Sequence, residues 1–309
     1  MPSRKPQSVA APRSPGFRAA QPPTVSGRWL LTAVSLTVAA AAVCTWGALC
    51  LLFWQGSWQL LYHPSARVAR TPASAGLAFD SIGFAVNDSG QPRLQGWLIP
   101  SAPGARFSQY TVRYLHGRNG NLGDTVPALA RLHAVGVNVF AFDYRGYGQS
   151  QFAHPSEARW RQDAEWALQY LTGTRRIALR AMVLDGHGLG ANLALEVAAA
   201  HPELAGVIVE VPLDAPVNAI FSDPRARLVP AHWLVRDRYA LNAPAAALRI
   251  PSLWFLPVSS PLASGDARDF SEAFGKIPAA KTLVWLPRSG AADATCTDAL
   301  TRWLKDAVH

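Results

Sequence analysis

Residues 182–200 read MVLDGHGLGANLALEVAAA, an apolar run that breaks at Gly186-His187-Gly188-Leu189-Gly190 and resumes as a helix-like stretch. Glycines at alternate positions between a strand and a helix make a sharp turn. In the pattern Gly-x-Ser-x-Gly such a turn lifts a serine hydroxyl out as a nucleophile toward acyl carbonyls. Here the middle residue is Gly188, and no side chain stands at that point. Three explanations compete: a nucleophile elsewhere, lost chemistry, or a chance match.

A hydroxyl becomes nucleophilic only beside a base, most often a histidine oriented by a carboxylate. His187 adjoins Gly188 but occupies an x position of the turn, where local packing or a hydrogen bond is expected. His154, His201 and His232 have no motif around them and read as surface or cap residues, and Ser259, Ser260 and Ser289 read as turn residues. The chain shows no His-x-x-x-His pair, no Cys-x-x-Cys and no Gly-rich phosphate loop. No metal and no cofactor is expected.

The elements that must position these residues alternate along the chain. FDSIGFAV and LQGWLIP, separated by the turn NDSGQP, predict an antiparallel start. YTVRYLHG, VNVFAFDYRG, IALRAMVLDG, GVIVEVPL, PSLWFLP and KTLVWLP read as further strands. TVPALARLHAVG, SEARWRQDAEWALQYLTG, ANLALEVAAAH, DARDFSEAFGKI and DATCTDALTRWLKDAV read as helices. Buried β runs alternating with helices imply a mostly parallel α/β sheet. Residues 213–249 lack periodicity and read as an inserted cap.

The N-terminal portion differs from the rest. Residues 1–28 are rich in Pro, Ser and Ala and carry Arg4, Lys5, Arg13, Arg18 and Arg28 without an acid. Too little apolar surface is available there to offset chain entropy, so disorder is expected. Trp29 to Trp54 is an uncharged run of 26 residues with tryptophans at both ends. As a helix it would reach about 39 Å, enough to cross a bilayer. The run exceeds the apolar core of a cleaved signal peptide. Five cations before it predict a single-pass anchor with the N-terminus in the cytoplasm. The remaining chain would lie outside the inner membrane, in a periplasmic or other extracytoplasmic space. A connector follows over 55–76, then a domain over 77–309. Of the 29 basic residues, 24 lie beyond the tail, against 20 acidic ones. That excess is too small to indicate nucleic acid. Cys296 is the one cysteine outside the apolar run, so that part of the chain has no partner for an internal disulfide.

LLYHPS after the apolar run, LQGWLIP, YLHGRNGNLGD (114–124), FAFDYRGYGQS (140–150) and LDGHGLGAN occur in an order and spacing that resemble the α/β-hydrolase superfamily, specifically its membrane-anchored Bem46-type branch. The resemblance spans roughly residues 58–308. It implies an α/β-hydrolase fold with a small cap, preceded by one transmembrane helix. It also implies a Ser, Asp or Glu, His triad in that chain order. The serine maps to Gly188, the acid to about Ser260 and the histidine to about Ala291. Asp214 and Asp266 are substitutes for the acid. His116 and Gly117 belong to the loop that, with the backbone N–H groups of Arg118 and Leu189, would form an oxyanion hole. Gly186 and Gly190 keep strand and helix close, and Gly188 relaxes a turn that costs a residue with a Cβ about 1–3 kcal/mol.

Three departures at three separate loops predict a catalytically degenerate, membrane-anchored protein acting as a binding or scaffold module. An acyl group or carboxylate is the expected ligand, and a protein partner is left open. The alternatives are an active hydrolase with an unusual constellation, using Asp214 or Asp266, and a membrane-interface protein whose cap contacts lipid or a partner. Reporter fusions at residue 20 and at the C-terminus are expected to report opposite compartments, the second one outside the cytoplasm. A cytoplasmic C-terminal reporter contradicts the topology.

Overall fold

A computed structural model describes residues 25–259, 268–287, 292–306 and 308. The tail expected to be disordered lies, over residues 1–24, outside them. The chain divides into two compact units, one ending at Ala48 and the other starting at Leu49.

The first unit contains most of helix α1 (Gly27–Gly56). Among the described residues, this is the one helix long and apolar enough to cross a membrane, by length and composition. Trp29, Leu30, Leu31, Val34, Leu36, Val38, Val43 and Trp46 are exposed along it. Two of its hydroxyls bond within the helix. Thr32 Oγ1 donates to the carbonyls of Trp29 (2.8 Å) and Arg28 (3.1 Å), and Thr37 Oγ1 donates to that of Ala33 (2.9 Å). A helix satisfied in this way leaves few polar groups to desolvate in hydrocarbon.

The second unit is built on an eight-stranded sheet. Its strands are β1 (Asp80–Val86), β2 (Pro92–Ile99), β3 (Thr111–Leu115), β4 (Asn138–Asp143), β5 (Met182–His187), β6 (Gly206–Glu210), β7 (Ser252–Pro257) and β8 (Lys281–Leu286). Their spatial order is β1-β2-β4-β3-β5-β6-β7-β8. β2 pairs antiparallel with β1 and β4, and all other pairs are parallel. β3 and β6 are buried along their whole length, as a strand covered on both faces requires.

Helices α2 (Val126–Val135) and α6 (Ala292–Asp306) cover one face, with Leu129, Leu132, Leu300 and Trp303 in its core. The other face is covered by α3 (Glu157–Gln169), α4 (Leu189–Ala200) and α5 (Arg268–Lys276), with Trp160, Leu193, Leu195 and Phe270 buried against it. Ser156 caps α3, its Oγ accepting from the N–H of Arg159 at 3.3 Å. Residues 213–249 hold three short α-helices, Asn218–Phe221, Ala231–Leu234 and Asn242–Ala247, and a 3-10 helix, Pro224–Leu228. Asn192 of α4 fixes this insertion. Its Nδ2 donates to the carbonyls of Leu213 and Tyr239, both at 2.8 Å, and its Oδ1 accepts from the N–H of Leu213 at 2.9 Å.

The stretch 55–76, expected as a connector, folds with the domain. Leu61 and Tyr62 are fully buried, and His63–Pro64 pairs in parallel with Asn119–Gly120. The N–H of His63 donates to the carbonyl of Arg118 at 2.9 Å, and Asn121 Nδ2 donates to the carbonyls of Ser65 and Arg67 at 3.1 and 2.8 Å. These bonds brace the loop that follows β3.

Candidate functional site

β3, β5 and β6 are adjacent and parallel, so their C-terminal ends open on one side of the sheet. That is where open α/β sheets present ligand sites. A cleft of about 560 Å³ lies there, lined by Gly117, Arg118, Arg131, His187, Gly188 and Glu210 among others.

The turn between β5 and α4 is closed by backbone. The N–H of Gly188 donates to the carbonyl of Glu210 at 2.9 Å, and the N–H of Ala191 to that of Gly188 at 3.0 Å. Gly188 sits at φ 58°, ψ −123°, a conformation that a residue with a Cβ adopts only under strain. Space is not the obstacle, since a Cβ built there meets only the Cα of Gly117, at 4.0 Å. Gly186 and Gly190 differ. A Cβ on Gly186 would run into the carbonyl of Gly190, and one on Gly190 into the carbonyls of Leu115 and His116.

His116 serves the loop, not the cleft. Its ring is packed among Tyr144, Tyr147 and Trp160, with centroids at 4.6, 5.2 and 6.2 Å. Nδ1 lies 2.8 Å from the carbonyl oxygen of Gly117. Burial pushes the imidazole down to about 4, which keeps it neutral. Asp143 secures the same loop by accepting from the N–H of Leu122 at 2.7 Å, and its carboxyl is pushed up to about 7, chiefly by burial.

His187 and Glu210 face each other across the β5–β6 register. His187 Nδ1 lies 3.4 Å from Glu210 Oε2, with the ring half exposed and the carboxylate almost buried. Arg131 Nη2 pairs with Glu210 Oε1, and Arg131 Nη1 lies 3.3 Å from Asp293 Oδ1. For Glu210, burial raises the pKa, but hydrogen bonding from His187 and the charge of Arg131 outweigh it, and the carboxyl sits below its ordinary value. Asp185, buried beneath, is held well above its ordinary value by burial and then by the Glu210 charge.

The cleft lining includes neither serine nor cysteine among the described residues, and Thr125 donates its hydroxyl to the carbonyl of Leu122 at 2.7 Å. The Asp214 carboxylate accepts from the N–H of Phe270 at 2.6 Å, at the start of α5. Ser260, Asp266 and Ala291 lie outside the described residues. His154 stacks on Trp58 at 4.9 Å, His201 Nε2 lies 3.0 Å from Glu165, and His232 packs on Phe221 at 4.0 Å.

Comparison with known proteins agrees with the fold. Residues 108–249 match the family model of serine aminopeptidase, S33. The protein YfhR of Salmonella typhi is 30% identical over 197 residues, which cover 60% of this chain and 65% of that one. For YfhR of Escherichia coli the match is 33% over 138 residues, 44% and 46% of the two chains. The chain therefore spans less than two thirds of these relatives. The protein Rv2307c of Mycobacterium tuberculosis is 28% identical over 222 residues, 69% of this chain and 76% of that one. The fold of the Pyrococcus furiosus esterase Pf2001 superposes with a TM-score of 0.59 at 16% identity, over 80% of this chain and 97% of that one. The lidless α/β serine hydrolase XC6422 of Xanthomonas campestris gives 0.52 at 18% identity, over 74% and 95%.

The chain is an α/β-hydrolase-fold protein. In this fold the turn before α4 has the place and the glycine spacing expected of a nucleophile elbow, with Gly188 at its apex. Glu210 and Arg131 were not singled out in the sequence. A carboxylate closing the apolar strand GVIVE was the available signal, whereas nothing local marks Arg131 on α2.

Gly188→Ser is expected to fit sterically yet to lower stability by about 1–3 kcal/mol through its backbone. Urea denaturation of the detergent-solubilised protein measures this, and an unchanged or raised midpoint contradicts the strain. A second expectation concerns Asp143. Its folded pKa is raised, so its stability contribution is fully present below about 4 and is lost as pH rises through about 7. The urea midpoint should therefore fall less between pH 5 and 8 in Asp143→Asn than in the parent, and equal falls would refute the assignment.

Proposed function

We propose that this chain is a membrane-anchored α/β-hydrolase-fold protein that holds an acyl group non-covalently at its elbow. The N–H groups of Arg118 and Leu189 are the donors to the acyl oxygen. Both residues line the cleft, and Leu189 opens α4, where an N–H has no acceptor within the helix. The observation that carries the reading is Gly188: the elbow keeps its strained backbone and clear space, but no hydroxyl stands there to form an acyl-enzyme.

A binding role is favoured over a pure scaffold because the cleft is open. Its lining sets the ligand. Arg118 and Arg131 are balanced by Asp124, Glu210 and Asp293, which suits a polar acyl head better than a bare hydrocarbon chain. The similarity in fold to a protein described as an esterase supports an acyl ligand class without adding a nucleophile. Under this reading α1 is retained as an anchor and the domain faces away from the cytoplasm.

Two measurements on the full-length protein in detergent test the proposal. A fluorophosphonate probe is expected to leave the intact mass unchanged. Calorimetric titration with carboxylates of graded chain length is expected to show saturable binding that Gly188→Trp, checked for cooperative unfolding, abolishes. A covalent adduct on any residue of the chain, or the absence of heat at every chain length, overturns it.

A further inference from the structure

We propose that Glu210 and His187 form a general-base dyad that activates a water molecule against a carbonyl held at the elbow, so that the site hydrolyses acyl esters without an acyl-enzyme. This rests on the acyl-binding reading above and adds a reaction to it.

Four observations converge. His187 and Glu210 are register partners on adjacent parallel strands, so the sheet itself fixes their separation. With Nδ1 3.4 Å from Glu210 Oε2, the carboxylate favours the tautomer that carries its proton on Nδ1, which leaves the Nε2 lone pair for a water. The ring edge turns toward the oxyanion-hole loop: His187 Cδ2, bonded to Nε2, lies 3.8 Å from the point where a Cβ on Gly117 would be. The empty side-chain position of Gly188 adjoins the same Gly117, 4.0 Å from its Cα. The ring edge and the vacated nucleophile position thus border one glycine. A water lodged beside it would take the place of the missing hydroxyl.

Glu210 is built to hold this arrangement. Its main-chain carbonyl accepts the N–H of Gly188, one carboxylate oxygen faces His187, and the other is paired with Arg131. The charged and titratable groups around the imidazole come from every neighbouring element: Glu210 on β6, Asp185 on β5, Arg131 on α2, Asp293 on α6, and Arg118 and Asp124 in the loop after β3. Arg131 keeps Glu210 ionised, and an ionised partner stabilises the imidazolium that forms.

The reaction balances with water alone. As the water oxygen bonds to the acyl carbon, its proton passes to His187 Nε2 and the carbonyl electron pair moves onto oxygen, facing the N–H groups of Arg118 and Leu189. Collapse of the tetrahedral intermediate breaks the carbon–oxygen bond to the alcohol, which leaves with the proton from Nε2. The products are a carboxylic acid and an alcohol, and nothing is oxidised or reduced. His187 is the catalytic residue, and Glu210 is a positioning residue.

The test uses the full-length protein in detergent with phenyl acetate and phenyl butyrate. Turnover is expected to begin without a burst. His187→Gln should lower kcat about 100-fold or more. The half-exposed ring makes that variant safe for folding. Glu210→Gln should lower kcat with KM little changed, and the double variant should be no slower than His187→Gln alone, because the two act as one unit. Carboxylate titration of the same preparations separates the failures. Binding with no turnover above the buffer rate, or turnover untouched by His187→Gln, overturns the dyad only. Absence of both binding and turnover overturns the acyl-binding reading beneath it. A burst of alcohol equal to the enzyme concentration would falsify the direct attack of water.

Discussion

The mouth of the sheet depends on one close approach of backbone to backbone. Gly190, in the first turn of α4, lies so near the carbonyls of Leu115 and His116 at the end of β3 that no side chain fits between them. Gly186 meets the carbonyl of Gly190 in the same way. This contact presses the helix start against two strands and fixes the turn between them. Gly188 is left at the apex with nowhere else to go. Because the turn is held by main-chain atoms, it survives whether or not a nucleophile stands on it.

The charge pattern around the elbow follows from that geometry. Ending β5 at His187 brings it level with Glu210, and Glu210 in turn draws Arg131 across from α2. A buried carboxylate is costly unless paired and hydrogen-bonded. Glu210 has both partners and sits below its ordinary pKa, whereas Asp185, without a hydrogen-bond partner for either carboxylate oxygen among the described residues, is held well above its own. Two carboxyl groups on neighbouring strands are shifted in opposite directions by what surrounds them.

Much of this was legible in the sequence. The apolar runs YTVRYL, MVLD and GVIVE read as buried strands because both faces of the sheet are covered, and the glycine spacing at 186–190 announced the turn. The α/β-hydrolase fold followed from the order of those blocks. The Glu210–His187–Arg131 cluster was not legible, because it arises from register between strands 23 residues apart in sequence and from a helix on a third element. The contacts of the stretch 55–76 were not legible for a similar reason. Its prolines hide any period; the block LLYHPS marked it as part of the resemblance, but the burial of Leu61 and Tyr62 and the two-residue pairing with Asn119–Gly120 come from tertiary contacts. The expected acid and base positions, near Ser260 and Ala291, lie outside the described residues.

That two-residue pairing links parts of the chain that look independent. His63 and Pro64 run beside Asn119 and Gly120, so the segment that leaves the apolar helix also forms the outer wall of the loop carrying Arg118. A domain excised at residue 77 would lose that wall and the buried Leu61 and Tyr62 with it. Evolution faces the same restriction. Changes in residues 61–65 therefore reach the loop that carries Arg118.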